Sequence, residues 1–242
     1  MRGCFVTGTD TGVGKTVLAA AVVAAARAHG LRVVARKPVI TGLEEPTPPE
    51  WPPDHELLAR ATGSSANEVA PLRYGPPVSP HLAAELAQRP LDPAELEASI
   101  LACGQDDELV VVEGVGGLLV PLAEGYDVRR LVSSLGLALL IAARPGLGTI
   151  NHTLLTLEAA RAAGLEVTAV VLTPWSDSPG LVERSNRATI AARGGVEVET
   201  LPQIPRADPD LLARAGESLP LERWLSDWRV RAASPDGRLG PA

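Results

Sequence analysis

Lysine is nearly absent from this chain. Lysine and arginine together number 22 in 242 residues, and Lys15 and Lys37 are the only lysines. Every other basic side chain carries a planar guanidinium, so a function that needs a compact ammonium group has just these two candidates. Both lysines are therefore candidate functional residues before any motif is considered.

The chain also lacks the hallmarks of several classes of protein. It has no run of clustered Lys and Arg and a formal net charge of −7, which argues against binding to the phosphates of nucleic acid. Its longest apolar stretch, 135–143, contains a glycine and is far shorter than the roughly 20 residues of a membrane-spanning helix. The N-terminal MRGCFVTG shows no apolar signal region. We expect a cytoplasmic protein with no nucleic acid or membrane partner.

Cysteine is also scarce. Cys4 and Cys103 are the only two, and they show no metal-ligand spacing. A single pair of cysteines makes a poor disulfide framework for a chain of this length. We expect both to be small buried hydrophobic residues.

Apolar runs alternate with helical patterns along the chain, which is typical of an α/β fold. Strands are predicted at 4–7, 32–36, 109–112, 137–142, 167–172 and 196–201, and helices at 16–29, 54–62, 81–88, 93–103, 151–163 and 181–193. Several of the apolar runs lack alternation, which favours strands buried on both faces. The pattern predicts a doubly wound, mostly parallel sheet with helices on both faces, and proline-rich loops at 38–53 and 71–80.

The length is suited to one domain with an ample core. We place that domain at 1–230 and predict a flexible tail at 231–242. An apolar stripe of Leu221, Trp224, Leu225 and Trp228 precedes the tail. Its simplest interpretation is a C-terminal helix packed on the body, and a membrane-surface or partner-binding role is the alternative.

The strongest motif is the glycine-rich segment 8–16 (GTDTGVGKT), between the first strand and the first helix. Backbone amides of such a loop cradle phosphate oxygens, Lys15 would reach the β and γ phosphates, and the Thr16 hydroxyl would bind Mg²⁺. The usual pattern has glycine where Thr9 stands, and Gly8 is one residue early. A glycine-rich turn with an incidental lysine is the alternative, but the context favours a nucleoside triphosphate site.

Two carboxylates are candidates for holding Mg²⁺ together with Thr16, since this hard cation prefers oxygen ligands. Glu113 ends a buried apolar run and precedes the glycine-rich segment 114–117. We therefore expect its carboxylate at the carboxyl edge of the sheet, beside the phosphate loop. Asp54 is equally well explained as the N-cap of the helix at 54–62.

Lys37 closes the second strand and also lies at the carboxyl edge of the predicted sheet. A solvated lysine is the ordinary explanation, but its retention in an arginine-using chain favours a tight contact with an oxyanion. Thr41 could add a hydroxyl donor, although a threonine in a loop is usually a turn former. The helix that opens near Asn151 could hold a carboxylate at its N-terminus, and a plain helix cap is the alternative.

Several motifs together resemble the dethiobiotin synthetase family. The resemblance covers about 4–205 and rests on FVTGTDTGVGKT (5–16), RKPVITG (36–42), Asp54, SPH (79–81), VVEGVGGLLVPL (111–122) and LGTINHTLLT (147–156). The early Gly8 is normal in that family. The resemblance implies a P-loop NTPase fold.

The implied activity is that of an ATP-dependent cyclo-ligase of biotin biosynthesis, with Mg²⁺ as cofactor and ATP as co-substrate. In the family, CO₂ adds to one amine of 7,8-diaminononanoate to give a carbamate. The γ-phosphate of ATP is transferred to the carbamate, and the second amine attacks the mixed anhydride to form dethiobiotin, with release of ADP and phosphate. Family members are homodimers with active sites at the subunit interface.

The resemblance also implies roles for individual residues. Lys37, Lys15 and Thr11 would be catalytic, and Thr16, Asp54 and Glu113 would hold the metal. The substrate would be bound by Thr41, Gly148, Thr149 and Asn151, of which the last three reach the partner's active site in the family. The implied nucleotide-binding residues are Gly12, Val13, Gly14, Lys15, Thr16, Val17, Asp54, Glu113, Gly114, Val115, Gly116, Thr173, Pro174, Pro205, Arg206 and Ala207.

One departure from the family bears on base recognition. Thr173-Pro174 stands where some members have Asn-Asp, whose Asn binds adenine, and Pro174 has no N–H to donate. We expect backbone groups near 205–207 to hold the base instead, or the base to be bound less selectively.

The competing hypothesis is a deviant P-loop switch ATPase of the partitioning and division type. Those proteins carry a second lysine early in the loop, about where Asp10 stands here.

Overall fold

A computed structural model describes residues 1–104 and 108–227. The strands are β1 (Arg2–Gly8), β2 (Val33–Arg36), β3 (Val39–Ile40), β4 (Leu72–Arg73), β5 (Leu109–Gly117), β6 (Pro121–Ala123), β7 (Tyr126–Asp127), β8 (Ala138–Ala143), β9 (Val167–Trp175) and β10 (Val198–Pro202). The helices are α1 (Lys15–Ala28), α2 (Asp54–Thr62), α3 (Ala66–Val69), α4 (Pro80–Leu86), α5 (Pro93–Leu101), α6 (Val128–Leu135), α7 (Thr149–Ala162), α8 (Leu181–Gly194), α9 (Pro209–Gly216) and α10 (Leu221–Asp227).

The central sheet has six strands in the order β10-β9-β8-β1-β5-β2, and all neighbouring strands run parallel. Strand β1 lies between β5 and β8, so the loop that follows β1 emerges between two strand ends. Parallel strands with crossover helices bury both sheet faces, which explains the continuous apolar runs. The predicted doubly wound α/β class is confirmed.

Helix α1 is buried almost all round because it is rich in alanine, a strong helix former with little bulk. Its residues from Leu18 to Ala26 have exposures between 0% and 8%. Helix α9 crosses it closely: a Cβ on Gly216 would lie 2.2 Å from the Ala21 carbonyl oxygen. The close crossing at the middle of α1 therefore requires glycine at position 216.

Several boundaries differ from the sequence predictions. Each of the two predicted proline-rich loops contains a two-residue strand, and these strands, β3 and β4, pair in parallel. Strand β5 continues past Val112 to Gly117. The β6–β7 hairpin and helices α3, α6 and α9 were not predicted. The short strands escaped prediction because a short strand is stabilised by its partner rather than by its own sequence.

Other predictions concern the cysteines and the C-terminal stripe. Cys4 is buried as predicted, but Cys103 is half-buried and its thiol donates to the Ser99 carbonyl oxygen over 3.3 Å. Leu221, Trp224 and Leu225 pack into the main core, as the simplest interpretation of the stripe predicted.

Trp228 and the predicted tail at 231–242 lie outside the described residues. In the described part of the chain, no helix is both long enough and apolar enough to cross a membrane.

Candidate functional site

The phosphate loop joins β1 to α1 and has the backbone geometry that phosphate binding requires. Gly12 and Gly14 have φ values of 68° and 93°, which disfavour residues with a side chain. A Cβ on Gly14 would also lie only 2.7 Å from the Thr173 methyl group. The first turn of α1 contains no acidic residue, so no carboxylate competes with an anion for its amides.

Lys15 folds back over this loop. Its Nζ donates to the Asp10 carbonyl oxygen over 2.8 Å, and the residue is only 6% exposed. Burial lowers the pKa of the Lys15 ammonium to about 8, although the nearby Glu113 opposes the shift. A bound phosphate would supply the negative charge that this buried ammonium lacks.

Lys37 lies between the two predicted metal-binding carboxylates. Its Nζ is 2.6 Å from Asp54 Oδ2 and 2.6 Å from Glu113 Oε1. Strand register produces this contact, because Arg36 of β2 lies opposite Val112 of β5 and the next residues along are therefore neighbours. Burial disfavours the charge, but Glu113 and Asp54 hold the pKa of Lys37 above its usual value.

Glu113 also connects Lys37 to the phosphate loop. The Thr16 hydroxyl donates to the same Oε1 atom over 2.8 Å, so Lys37, Thr16 and Glu113 form one contiguous cluster. Glu113 is 1% exposed, and burial raises the pKa of its carboxyl even though Lys37 opposes that shift. The prediction that Glu113 ends a strand is wrong: it lies within β5, opposite Val6 of β1.

One interpretation of the sequence made Asp54 the N-cap of α2. The structure shows that it is not the cap. Pro53 is the N-cap residue, and Asp54 is the first residue of the helix. Its carboxylate contacts Lys37 instead, and although burial opposes the shift, Lys37 lowers the pKa of that carboxyl below its usual range. The half-exposed position of Asp54, at the mouth of the cluster, leaves it open to a ligand.

The cluster has features that suit a divalent cation. Glu113 Oε2 is buried and accepts no hydrogen bond within the described residues, and an unpartnered carboxylate oxygen is a good ligand for Mg²⁺. No group of three or more His, Cys, Asp or Glu side chains in the described part of the chain could hold a metal. A cation here would therefore need the Thr16 hydroxyl and phosphate oxygens to complete its shell. On these grounds the residues fit such an ion.

The other predicted loop residues are Thr11, Thr41 and the glycines of 114–117. Thr11 is exposed, and its hydroxyl oxygen would be 3.7 Å from a Cβ on Gly116. Gly114 lies over Phe5, where a Cβ would be 2.8 Å from the ring. The glycines of 114–117 lie within β5 and let this strand approach the core and the loop closely. Thr41 follows β3 and is half-buried.

The start of α7 differs from the prediction. Helix α7 begins at Thr149, and its N-cap is Gly148, with φ of 85°. The alternative to carboxylate binding was that Asn151 or a threonine caps the helix. Neither residue is the cap. Thr149 is buried, its hydroxyl lies 3.4 Å from that of Thr153, and Asn151 is exposed in the first turn. This turn, like that of α1, contains no acidic residue.

The predicted base-binding residues separate into two places. Thr173 is buried against Gly14 of the phosphate loop, whereas Pro174 is exposed. Arg206 and Ala207 line a cavity of about 470 Å³, whose other lining residues are Thr47, Pro48, Pro49, Glu50, Trp51, Pro52, Pro53, Glu56 and Arg60. Pro205 is exposed beside this group.

The Ala207 amide donates to the Glu50 carbonyl oxygen over 3.0 Å. In this structure the amide is therefore already bonded within the protein, and the assignment of 205–207 to the base stays a prediction. The role of Trp51 in lining the cavity was not predicted; the only signal in the sequence is an isolated aromatic residue within a proline-rich segment.

Sequence reasoning missed one further residue beside the loop. Arg144 follows β8, and its Nη2 and Nε atoms lie 3.0 Å and 3.3 Å from the Gly12 carbonyl oxygen. The available signal was its position directly after a buried strand, where side chains reach the carboxyl edge of the sheet.

Comparisons with known proteins show which families the chain resembles. A family model described as an AAA domain matches residues 2–210. The ATP-dependent dethiobiotin synthetase BioD of Anaeromyxobacter sp. (strain Fw109-5) is 44% identical over 81% of this chain and 87% of that protein. The Mycobacterium avium (strain 104) protein of the same name is 41% identical over 94% of this chain and 97% of its own.

Solved structures that resemble the chain are more distant in sequence. The Pyrococcus furiosus cell division ATPase MinD has a TM-score of 0.55 at 16% identity, covering 93% of this chain and 100% of that one. A chain of the Aquifex aeolicus MinC:MinD cell division protein complex has a TM-score of 0.53 at 17% identity, covering 94% of this chain and 94% of that one. At such identities, these likenesses show a shared fold and nothing about activity.

Proposed function

The chain belongs to the family of ATP-dependent dethiobiotin synthetases, and we propose that it closes 7,8-diaminononanoate with CO₂ to dethiobiotin, at the expense of ATP. The observation that carries the proposal is the cluster of Lys37, Asp54, Glu113 and Thr16 beside the phosphate loop. It provides cationic and anionic groups at the place where a γ-phosphate and an acceptor would meet. The relatives of that name match over most of both chains, which supports the same conclusion.

We propose that the loop amides from Gly12 to Val17 and the Lys15 ammonium hold the triphosphate. Lys15 would leave the Asp10 carbonyl oxygen for phosphate oxygens, which offer a full charge in place of a partial one. Because burial has lowered the pKa of Lys15, the approach of phosphate would also restore its full protonation. Lys15 therefore acts by charge and position, without transferring a proton.

We assign Thr16, Asp54 and Glu113 as the residues that would hold Mg²⁺. The unpartnered Glu113 Oε2 and the outward position of Asp54 support this assignment. When bound, the ion would neutralise charge on the β and γ phosphates during transfer.

Lys37 would stabilise the carbamate. An ammonium has three N–H donors, and Asp54 and Glu113 accept from two of them, so one donor is available for a carbamate oxygen. The two carboxylates keep Lys37 protonated by raising its pKa. Lys37 is therefore suited to electrostatic stabilisation and unsuited to act as a base. Thr11 and Thr41 are proposed as further hydroxyl donors to the carbamate.

We further propose a homodimer in which Gly148, Thr149 and Asn151 take the substrate carboxylate. The start of α7 supports this role, because it has exposed residues and no acid in its first turn. Leu147, Leu155 and Leu181, on or next to α7 and α8, are 91%, 56% and 76% exposed. Apolar exposure of this kind is typical of an interaction surface. Both cysteines are free thiols, which is consistent with the proposed cytoplasmic location.

The base is proposed to be held with little selectivity. Thr173 is buried, Pro174 lacks an N–H, and the Ala207 amide is already bonded. These observations leave few donors and acceptors for reading a base edge. GTP and CTP should therefore support turnover at rates comparable with ATP.

The switch ATPase hypothesis is not favoured. Its structural likeness extends to the fold alone, and Asp10 stands where those proteins carry their second lysine.

The decisive assay supplies the purified protein with diaminononanoate, bicarbonate, Mg²⁺ and ATP. The expected products are dethiobiotin, identified by mass spectrometry, and one phosphate for each ring closed. Phosphate release at the same rate with and without the diamine would contradict the proposal and support the switch ATPase. Parallel reactions with GTP and CTP test the base assignment in the same experiment.

A further inference from the structure

Arg144 is an arginine beside the phosphate loop that forms no ion pair within the described residues. It directly follows β8, which pairs with β1 so that Ala142 lies opposite Gly8. The Thr9 amide donates to the Ala142 carbonyl oxygen over 3.0 Å, so the end of β8 is bonded to the phosphate loop itself. The side chain of Arg144 therefore starts beside the phosphate loop.

The guanidinium is anchored at one point. Two of its nitrogen atoms bond to the Gly12 carbonyl oxygen, at 3.0 Å and 3.3 Å. A guanidinium has five N–H donors in a rigid fork, so this anchor leaves others for a second acceptor. No carboxylate in the described part of the chain forms an ion pair with Arg144.

The turn that carries Arg144 is held by a buried side chain. Asn186 of α8 is 7% exposed, and its Nδ2 donates to the carbonyl oxygens of Pro145 and Gly146 over 2.9 Å each. Without that amide, a turn with glycines at 146 and 148 would have considerable backbone freedom. Asn186 therefore limits the positions that the Arg144 backbone can adopt.

We propose that Arg144 is a further catalytic residue, whose guanidinium contacts the oxygen atoms of the phosphoryl group in transit, and that Asn186 is its positioning residue. During transfer, the bond from the γ-phosphorus to the ADP oxygen breaks while a bond to the acceptor oxygen forms. Negative charge is then spread over the phosphoryl oxygens and the leaving oxygen, and a preplaced cation stabilises it. The inference rests on the proposed function only for the identity of the acceptor.

The test separates this role from simple bracing of the loop. Arg144→Gln keeps an amide donor for the Gly12 carbonyl oxygen but removes the charge. We expect kcat to fall by about 100-fold, with KM for ATP changed by less than a factor of about 3. Arg161→Gln is the matched control, because Arg161 is also exposed and bonds to the carbonyl oxygen of Gly194; it should retain wild-type kcat.

A second measurement does not depend on turnover. ADP with aluminium fluoride mimics the phosphoryl group in transit, and Arg144→Gln should weaken binding of this complex by about 100-fold while binding ADP alone as the wild type does. Equal weakening of both ligands, or of neither, would overturn the role. Wild-type protein that binds the mimic tightly but makes no dethiobiotin would instead contradict the proposed function.

Asn186→Asp tests the positioning residue, since a carboxylate of the same size cannot donate to either carbonyl oxygen. We expect a fall in kcat of about 10-fold, and the double variant with Arg144→Gln should be no slower than Arg144→Gln alone. Arg187→Ala on the same helix is the control, because its guanidinium bonds to the Val198 carbonyl oxygen instead. Additive losses in the double variant would contradict the link, and Asn186→Ala repeats the test without an added charge.

Discussion

The two lysines of this protein are in opposite electrostatic environments. Lys15 is buried against the neutral Asp10 carbonyl oxygen, and burial lowers its pKa to about 8. Lys37 is at least as buried, but Asp54 and Glu113 contact it and raise its pKa. The same side chain is therefore found in two different settings: Lys15 contacts no carboxylate in the described part of the chain, whereas Lys37 contacts two.

The largest expected effect is a loss of turnover when Lys37 is replaced, in contrast to a loss of ATP binding when Lys15 is replaced. Lys37→Ala should lower kcat by at least about 100-fold through loss of charge stabilisation, and should leave the affinity for ATP within about 3-fold. Lys15→Ala should weaken ATP binding itself. Isothermal titration with ATP and steady-state assays on both variants measure the two effects. If Lys37→Ala loses nucleotide binding to the same degree, the division of roles between the lysines is wrong.

The next effect concerns folding stability. Removing Lys37 leaves the Glu113 carboxylate buried without its partner, which typically costs about 3 to 5 kcal/mol. Lys15→Ala leaves only a carbonyl group behind, so the free energy of unfolding should change by no more than about 1 kcal/mol. Urea denaturation of both variants tests the comparison. The double variant Lys37→Ala/Glu113→Gln should recover much of the stability that Lys37→Ala loses. Equal destabilisation by Lys37→Ala and Lys15→Ala would contradict the comparison.

A smaller effect should appear in the pH dependence of nucleotide binding. At pH 7, Lys15 is already protonated in the free protein, so ADP binding should take up almost no proton at this lysine. Above pH 8 the free Lys15 loses its proton, and ADP, which raises the pKa again, must restore it. Affinity for ADP should therefore fall as the pH rises above 8.

Titration calorimetry in buffers of different ionisation enthalpy measures this proton uptake, which should approach one proton per ADP at pH 9. Lys37, whose pKa is raised, stays protonated throughout and contributes nothing. Lys15→Arg is the control, because a guanidinium does not deprotonate in this range, and its uptake should be absent. If proton uptake on ADP binding is unchanged in Lys15→Arg, the group that takes up the proton is not Lys15.

The smallest effect is a difference in reaction rate with amine-directed reagents. At pH 8, about half of Lys15 would be uncharged and reactive, while Lys37 stays protonated and paired. Mass spectrometry of the modified peptides should find Lys15 labelled faster, and ATP should protect it. The N-terminal amine is an internal reference in every sample. Faster labelling of Lys37 than of Lys15 would contradict the assignment of the lowered pKa to Lys15.

Much of the fold was predictable because long buried elements carry strong local patterns. The runs at 109–112 and 167–172 lack polar alternation, and both are interior strands of the parallel sheet. The phosphate loop was equally clear, since strand, glycines, lysine and helix follow one another in sequence. Short elements escaped prediction: β3 and β4 have two residues each and depend on pairing with one another.

The site was predictable in its residues but less so in its contacts. Asp54 had two equally good interpretations from sequence, helix cap or metal ligand, and the structure excludes the cap because Pro53 has that position. Asn151 was expected to start its helix, but Gly148 caps it and Thr149 starts it. Arg144 was overlooked because its partner, Gly12, is 132 residues away in the chain. Local patterns carry no information about such distant pairings.

The sequence by itself determined the chemistry that is available: two ammonium groups, a phosphate-binding loop and a buried acid, each recognisable from short-range pattern. Only the tertiary structure decided that Lys37, Asp54, Glu113 and Thr16 form one cluster. One physical reason is strand register, since Arg36 lies opposite Val112 and Val6 opposite Glu113. The other is the placement of the helices that carry Asp54 and Thr16. Those pairings depend on how the whole sheet packs against its helices, which no single segment specifies.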